Sequence, residues 1–515
     1  MRMVVAVIAA FVLPAHAQDP PPPSPLDSLD LRTISAVVTV FKASRDAVWP
    51  DYDLSSQPFL VYRPGRWAVL LNPPGKIEGY RPYPESWPQL GTMAQVHLGA
   101  IPDLVGQLEF DFAVGPITTV AIPLADNLPE QTLERARSLF AFVVHEAFHQ
   151  FQRSAFREVD EPSEELYPIL DTANSARAAL EIHILEDAVR AVERRDLAGA
   201  RRLTDWFLAQ RRFRWEHASS LVREFERAKE LSEGTAKYVE SRLVATMAAN
   251  CRTGRFIDPS VCPSFRSVTL PGYLEIDFES RLTDGALSPA DVPRNRIYPT
   301  GAAMGVLLDF FGVGWKSKAA GLPDSSALAD LLALSFPVLA SGLESLRNEA
   351  ERRYDLPRLQ RRTNTLADVY VRDAADAIRA FEAQPGYRLE VQLPVAGTSR
   401  SRSSIAKRWV VDNGRRVFGS DFLAYTLRRP DQQMFLRVER RAVLDDLVAQ
   451  GERRVAFFAP SVDSIRVDGA SLAVTARDYR FESLSMQGAG FSLDVRVPGT
   501  LSINAGRVAV RLSSP

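Results

Sequence analysis

The spacing of hydrophobic positions changes twice along the chain. Between Leu29 and Leu124, short apolar runs are separated by turn residues. Phe59-Leu60-Val61-Tyr62 and Trp67-Ala68-Val69-Leu70-Leu71 read as strands, as do Leu108 to Val114 and Ile117 to Leu124 on either side of Gly115-Pro116. From Pro129 to about Ala383 apolar residues recur at three and four positions, the period of helices. This pattern covers Gln131 to Arg153, Ser163 to Arg194, Leu197 to Arg211, Glu216 to Ala249, Thr300 to Phe311 and Ser325 to Phe336. Cys251 to Tyr298 interrupts it with prolines and little periodicity, and a loop that long inside a compact domain is usually functional or mobile. After Pro385-Gly386 apolar and polar residues alternate, as in Leu493 to Val497 and Val508 to Leu512, with hairpin signals at Asp412-Asn413-Gly414 and Val467-Asp468-Gly469. These periods predict an α+β chain. A mainly helical region over residues 29–386 opens with a mixed β segment, and a separate β domain, a small sandwich, follows over 387–515.

With 515 residues, the chain is longer than one hydrophobic core usually serves. Lys and Arg number 62 against 63 Asp and Glu, a balance that offers no electrostatic footprint for nucleic acid or an anionic membrane. The N-terminus has the form of a signal peptide over residues 1–17: Arg2, an apolar run from Val4 to Leu13, and the small-x-small site Ala15-His16-Ala17. That run is too short to span a bilayer, which takes about 20 residues. Residues 18–28, with Pro20 to Pro23 and Pro25, then form a stiff tether. The expectation is a mature chain beginning at Gln18, periplasmic or secreted, with no transmembrane segment. In an oxidising compartment the two cysteines, Cys251 and Cys262, are candidates for a disulfide.

Candidate chemistry concentrates in His145-Glu146-Ala147-Phe148-His149. Histidines at i and i+4 share one face of a helix, so two imidazole nitrogens can reach one zinc ion. Glu146 is rotated by about 100°, placed to exchange a proton with a metal-bound water rather than to bind the metal. The run Leu139 to Val144 before the motif, with Phe148 and Phe151 in and after it, marks a buried helix, where two histidines and a glutamate need something to satisfy them. His97, His183 and His217 read as structural or surface residues. A catalytic zinc takes a third protein ligand, and two glutamates are candidates. Glu233 stands in Glu230-Leu231-Ser232-Glu233-Gly234-Thr235-Ala236-Lys237-Tyr238, where Gly234 would let its helix approach that of His145, and Tyr238 would add a hydroxyl near the site. Glu181 lies on an apolar stretch of another helix. As third ligand or as partner orienting a histidine, it is the alternative. Tyr298, before a small-residue helix, is a candidate donor to an oxyanion, or simply a packing tyrosine.

His145-Glu146-x-x-His149 followed by Glu233-Gly234-x-Ala236-x-Tyr238 resembles the gluzincin group of zinc metallopeptidases, the thermolysin-like fold. It is similar also to a set of bacterial exported proteins with a Glu-Gly-x-Ala-x-Tyr helix. The resemblance covers these two helices. It implies a zincin-like catalytic region, His145, His149 and Glu233 as zinc ligands, Glu146 as general base, and peptide or protein as substrate. The chain departs from thermolysin in the 84 positions between His149 and Glu233, and in carrying Lys237 where an acidic residue would orient the first histidine. Two other readings keep the zinc: an interaction protein without turnover, and an amidase acting on another amide such as cell-wall material.

Overall fold

The computed structural model describes residues 33, 36, 48–53, 57–63, 65–82, 94–99, 101, 111–115, 117–123, 133–157, 162–254, 259–274, 289, 292–323, 326–335, 342–394, 399–403, 408–411, 416–429, 433–449, 451–475 and 477–513. The expected signal peptide and tether lie outside these residues.

Six strands open the described fold: β1 (Phe59–Arg63), β2 (Trp67–Leu71), β3 (Arg81–Pro82), β4 (Ala94–Leu98), β5 (Asp111–Val114) and β6 (Ile117–Pro123). They lie in the order β3-β4-β2-β1-β6-β5, antiparallel except where β1 runs parallel to β6. β1 and β2 are covered on both faces, which is why they read as unbroken apolar runs. Phe59, Val61, Val69 and Leu71 enter the main core, whereas Leu60, Tyr62, Ala68 and Leu70 close a smaller one with Ile77.

Ten α-helices come next among the described residues: α1 (Leu133–Ala155), α2 (Thr172–Glu193), α3 (Leu197–His217), α4 (Ser220–Lys229), α5 (Thr235–Thr253), α6 (Val292–Phe310), α7 (Lys316–Ala320), α8 (Leu328–Ser335), α9 (Leu343–Arg353) and α10 (Leu356–Glu382). Asp171 and Asp196 cap α2 and α3 by accepting from the backbone N–H of Asn174 and Gly199. Gly254, at φ +68°, ends α5. Phe140, Val143, Val144, Ala147 and Phe148 of α1 sit in the main core between the sheet and α5.

Three helices depart from the periodicity. The run expected from Ser163 begins as a short 3-10 turn, Glu164–Leu166, because Tyr167 before Pro168 is held extended. The run expected over Glu216 to Ala249 is α4, a π turn (Glu230–Gly234) and α5. α6 starts at Val292 and passes through Pro299, so Tyr298 lies inside a helix rather than ahead of one. Buried Arg296 and Ile297 show that packing carries this helix past the proline. Between α5 and α6, Cys251 and Cys262 are bridged, with Cα atoms 5.2 Å apart. Phe265 packs edge-on against Phe140 of α1.

From Tyr387 onward thirteen strands of the described residues form one sheet. Its long strand Met434–Ala449 turns at Arg440, which has φ +51°. The first half pairs with Phe491–Val495 and the second with Glu452–Ala459. The sheet therefore doubles over one core that contains Leu436, Val455, Phe457, Met486 and Leu501. Positive φ at both Asp468 and Gly469 matches the expected type I′ turn. The Asp412 to Gly414 turn lies outside the described residues, although Val411 pairs with Arg416 across it. α10 joins this sheet to the helices through Phe381, packed on Phe418 and Phe458. Among the described residues, no helix is long and apolar enough to cross a membrane.

Candidate metal centre

His145 and His149 project from one face of α1 and meet Glu233 of the π turn. The three facing atoms form a nearly equilateral triangle. His149 Nε2 is 3.1 Å from His145 Nε2 and 3.1 Å from Glu233 Oε2, and His145 Nε2 is 3.3 Å from that same oxygen. Three ligands at about 2.0–2.1 Å around a tetrahedral ion stand roughly 3.3–3.4 Å apart, so the triangle has the dimensions of a coordination face.

The hydrogen bonds behind the rings decide what those atoms present. Thr235 Oγ1 donates to the Leu231 carbonyl at 2.6 Å, and Gln152 Nε2 donates to the Ser232 carbonyl at 2.8 Å and to Thr235 Oγ1 at 2.7 Å. Gln152 Oε1 is left as the acceptor facing His149 Nδ1 at 2.7 Å. The proton of His149 is thereby assigned to Nδ1 and the lone pair to Nε2. On His145, Nδ1 donates to Glu240 Oε2 at 3.0 Å, with the same consequence. Two imidazole lone pairs and a carboxylate oxygen converge at little more than 3 Å, an arrangement that is repulsive unless a cation lies between them.

The titration behaviour expresses the same demand. Burial works against a charged His145, yet its bonds to Glu233 and Glu240 hold it up to about 10. Burial likewise opposes the Glu233 carboxylate, and the two histidines override it, keeping it well below the usual range. Burial also opposes the Glu240 carboxylate, but Lys237 and His145 bring it to about 2. With no other cation between them, His145 Nε2 carries a proton toward Glu233 and presents its lone pair only when that proton leaves.

Glu240 is the residue that the sequence reading missed. The acid expected four positions after Glu233 is Lys237, but Glu240, seven positions after Glu233 and so about two turns along, lies on nearly the same face. Lys237 donates to its other oxygen at 2.7 Å, and Tyr273, from the segment beyond the disulfide, also bonds it. Gln152, three positions after His149, was missed as well. A polar residue one turn beyond His149 was the available signal.

The remaining candidates separate. Tyr298 reaches the site: its ring lies 5.6 Å from that of His145, and it bonds Glu233. Burial, followed by the Glu233 charge, pushes its hydroxyl well above the ordinary tyrosine range, so it stays a donor. Glu146, half-buried on α1, is near enough to raise both His145 and Tyr298 by its charge. Glu181 is elsewhere, fully buried and bonded to Arg211 and Arg214. Gly234 does not face α1 but α6, where a Cβ on it would lie 2.6 Å from Gly301 Cα. It follows Glu233 by one position, which turns it about 100° away. Tyr238, four positions after Gly234, also faces α6 and bonds Asp309, which also accepts from Trp315. Among the other histidines, His97 faces the Gly79 carbonyl, His183 stacks on Tyr354 and His217 on Phe213, as expected of structural residues.

No protein family, curated protein or solved structure matches this chain.

Proposed function

We propose that the chain is a zinc-dependent hydrolase, exported from the cytoplasm, that cleaves peptide bonds with His145, His149 and Glu233 as metal ligands. The observation that carries the reading is the convergence of two imidazole lone pairs and one carboxylate oxygen at 3.1–3.3 Å, with both rings locked from behind. Two nitrogens and one oxygen suit zinc, and three protein ligands are the complement of a catalytic site, which keeps a position open. When bound, zinc supplies a Lewis acid and lowers the pKa of a water to about 7.

The chain's own residues do the rest. Glu240 and Gln152 fix the tautomers of His145 and His149, so that neither ring turns its N–H toward the ligand face. Glu146 follows His145 on the helix and stands outside the triangle, where its carboxylate can take a proton and return it to the departing amine. Tyr298, kept protonated, donates toward an oxyanion that develops beside the triangle. An interaction protein has no need of an uncoordinated carboxylate at Glu146, which favours turnover.

The test combines metal analysis of the purified protein with cleavage of a mixed peptide library. Glu146→Gln should keep its zinc and lose hydrolysis by several orders of magnitude. Loss of metal in that variant, or zinc without cleavage of any peptide by the native chain, would refute the assignment.

A further inference from the structure

Around Glu230, the first residue of the π turn, lies a fully buried cluster of three arginines and three glutamates. Arg214 is its centre, donating to both oxygens of Glu181 and of Glu226 at 2.6–2.8 Å. Arg211 spans Glu181 and Glu230, each at 2.8 Å. Arg296 closes it from α6, bonding Glu226 and, at 3.2 Å, the Tyr167 hydroxyl. All six charged side chains are 2% exposed or less.

Formal charges cancel, but such a cluster is weak evidence for stability. Hydrophobic side chains of the same volume often serve as well or better, because each charge must be stripped of water. Its location is more informative than its energy. Glu230 is the first residue of the π turn whose fourth residue is Glu233, and Arg296 stands two positions before Tyr298. A π turn holds one residue more than the α turn it replaces. Relaxing it to α would rotate the two flanking helices by about 100° relative to each other and would carry Glu233 off the face it shares with the histidines. Gln152 holds the turn from the front through Ser232 and Thr235. At the start of the turn, Arg211 holds Glu230.

We infer that Arg211 and Glu230 are positioning residues, and that through their contact the buried cluster keeps the π turn in the register that aims Glu233 at the metal. The inference rests on the proposed metal centre of His145, His149 and Glu233.

It is tested by titrating Co2+ and Zn2+ into the full chain, with the visible bands of bound Co2+ reporting the ligand set and thermal unfolding reporting the fold. The double variant Arg211→Met with Glu230→Leu removes one charge of each sign and leaves Arg214 on Glu181. It should fold, bind metal about 10–100-fold more weakly and show altered Co2+ bands. Glu230→Gln, which keeps an acceptor for Arg211, should recover most of the affinity. Wild-type affinity and bands in the double variant overturn the inference. If the double variant does not fold, Arg211→Lys decides: its single ammonium cannot span both glutamates, and unchanged Co2+ bands and affinity there overturn it equally. A native chain that binds neither ion removes the metal centre itself, and this inference with it, an outcome distinct from the others because it appears before any variant is made.

Discussion

Replacing Glu240 with Gln tests what its charge does for His145. The carboxylate accepts from His145 Nδ1 at 3.0 Å and from Lys237 at 2.7 Å, and it is 6% exposed, so neither bond is diluted by solvent. Glutamine keeps the size and an acceptor oxygen. A hydrogen bond to a charged group contributes about 1.5–3 kcal/mol, and one between neutral groups about 0.5–1.5 kcal/mol. The difference of about 1–1.5 kcal/mol corresponds to roughly 5- to 13-fold in metal affinity, because an imidazole without its carboxylate is a weaker base toward the ion. Glutamine also takes the carboxylate from Lys237, whose ammonium then faces the amide nitrogen, so the variant should lose up to about 3–5 kcal/mol of stability as well, and alanine would add a cavity to that loss. The assay is a zinc titration against a competing chelator, paired with a urea curve of the metal-free variant to show that it is folded. A folded Glu240→Gln protein that binds zinc within about twofold of the native chain would falsify the orienting role.

Gly301→Ala places a Cβ 2.4 Å from Gly234 Cα and 2.8 Å from the Glu230 carbonyl. The π turn and α6 must then separate by about 1 Å, with a loss near the roughly 1–3 kcal/mol of other overpacked sites. A urea midpoint equal to the native one would contradict that contact. Removing the Cys251–Cys262 bridge with serine at both positions opens a loop of sequence separation 11, which by chain entropy lowers stability by about 3 kcal/mol. Reductant should reproduce the shift in the native chain, and equal stability with and without it would argue that no bridge forms. Tyr298→Phe should lower zinc affinity modestly, through the lost bond to Glu233, and lower kcat of the zinc-loaded protein about 10²- to 10³-fold with little change in KM. An equal rise in KM with kcat unchanged would make Tyr298 a substrate-binding residue instead.

The two histidines and Glu146 were legible because their relationship is local. Five residues on one helix fix which side chains share a face, whatever the rest of the chain does. The same holds for β1 and β2, for the Asp468-Gly469 turn and for the change of period at Gly386, where a repeat of two replaces one of 3.6. Glu233 could be ranked above Glu181, but its partners could not be read from the chain. Gly234 and Tyr238, which seemed to recommend it, face α6 and Asp309. The π turn has no signature in a hydrophobic pattern, and a single inserted residue turns every later side chain by about 100°. Glu240, Gln152 and the cluster around Arg214 join residues as much as 129 positions apart in sequence. Such contacts depend on how helices are placed against one another, and periodicity specifies which face of a helix is buried but not what it is buried against.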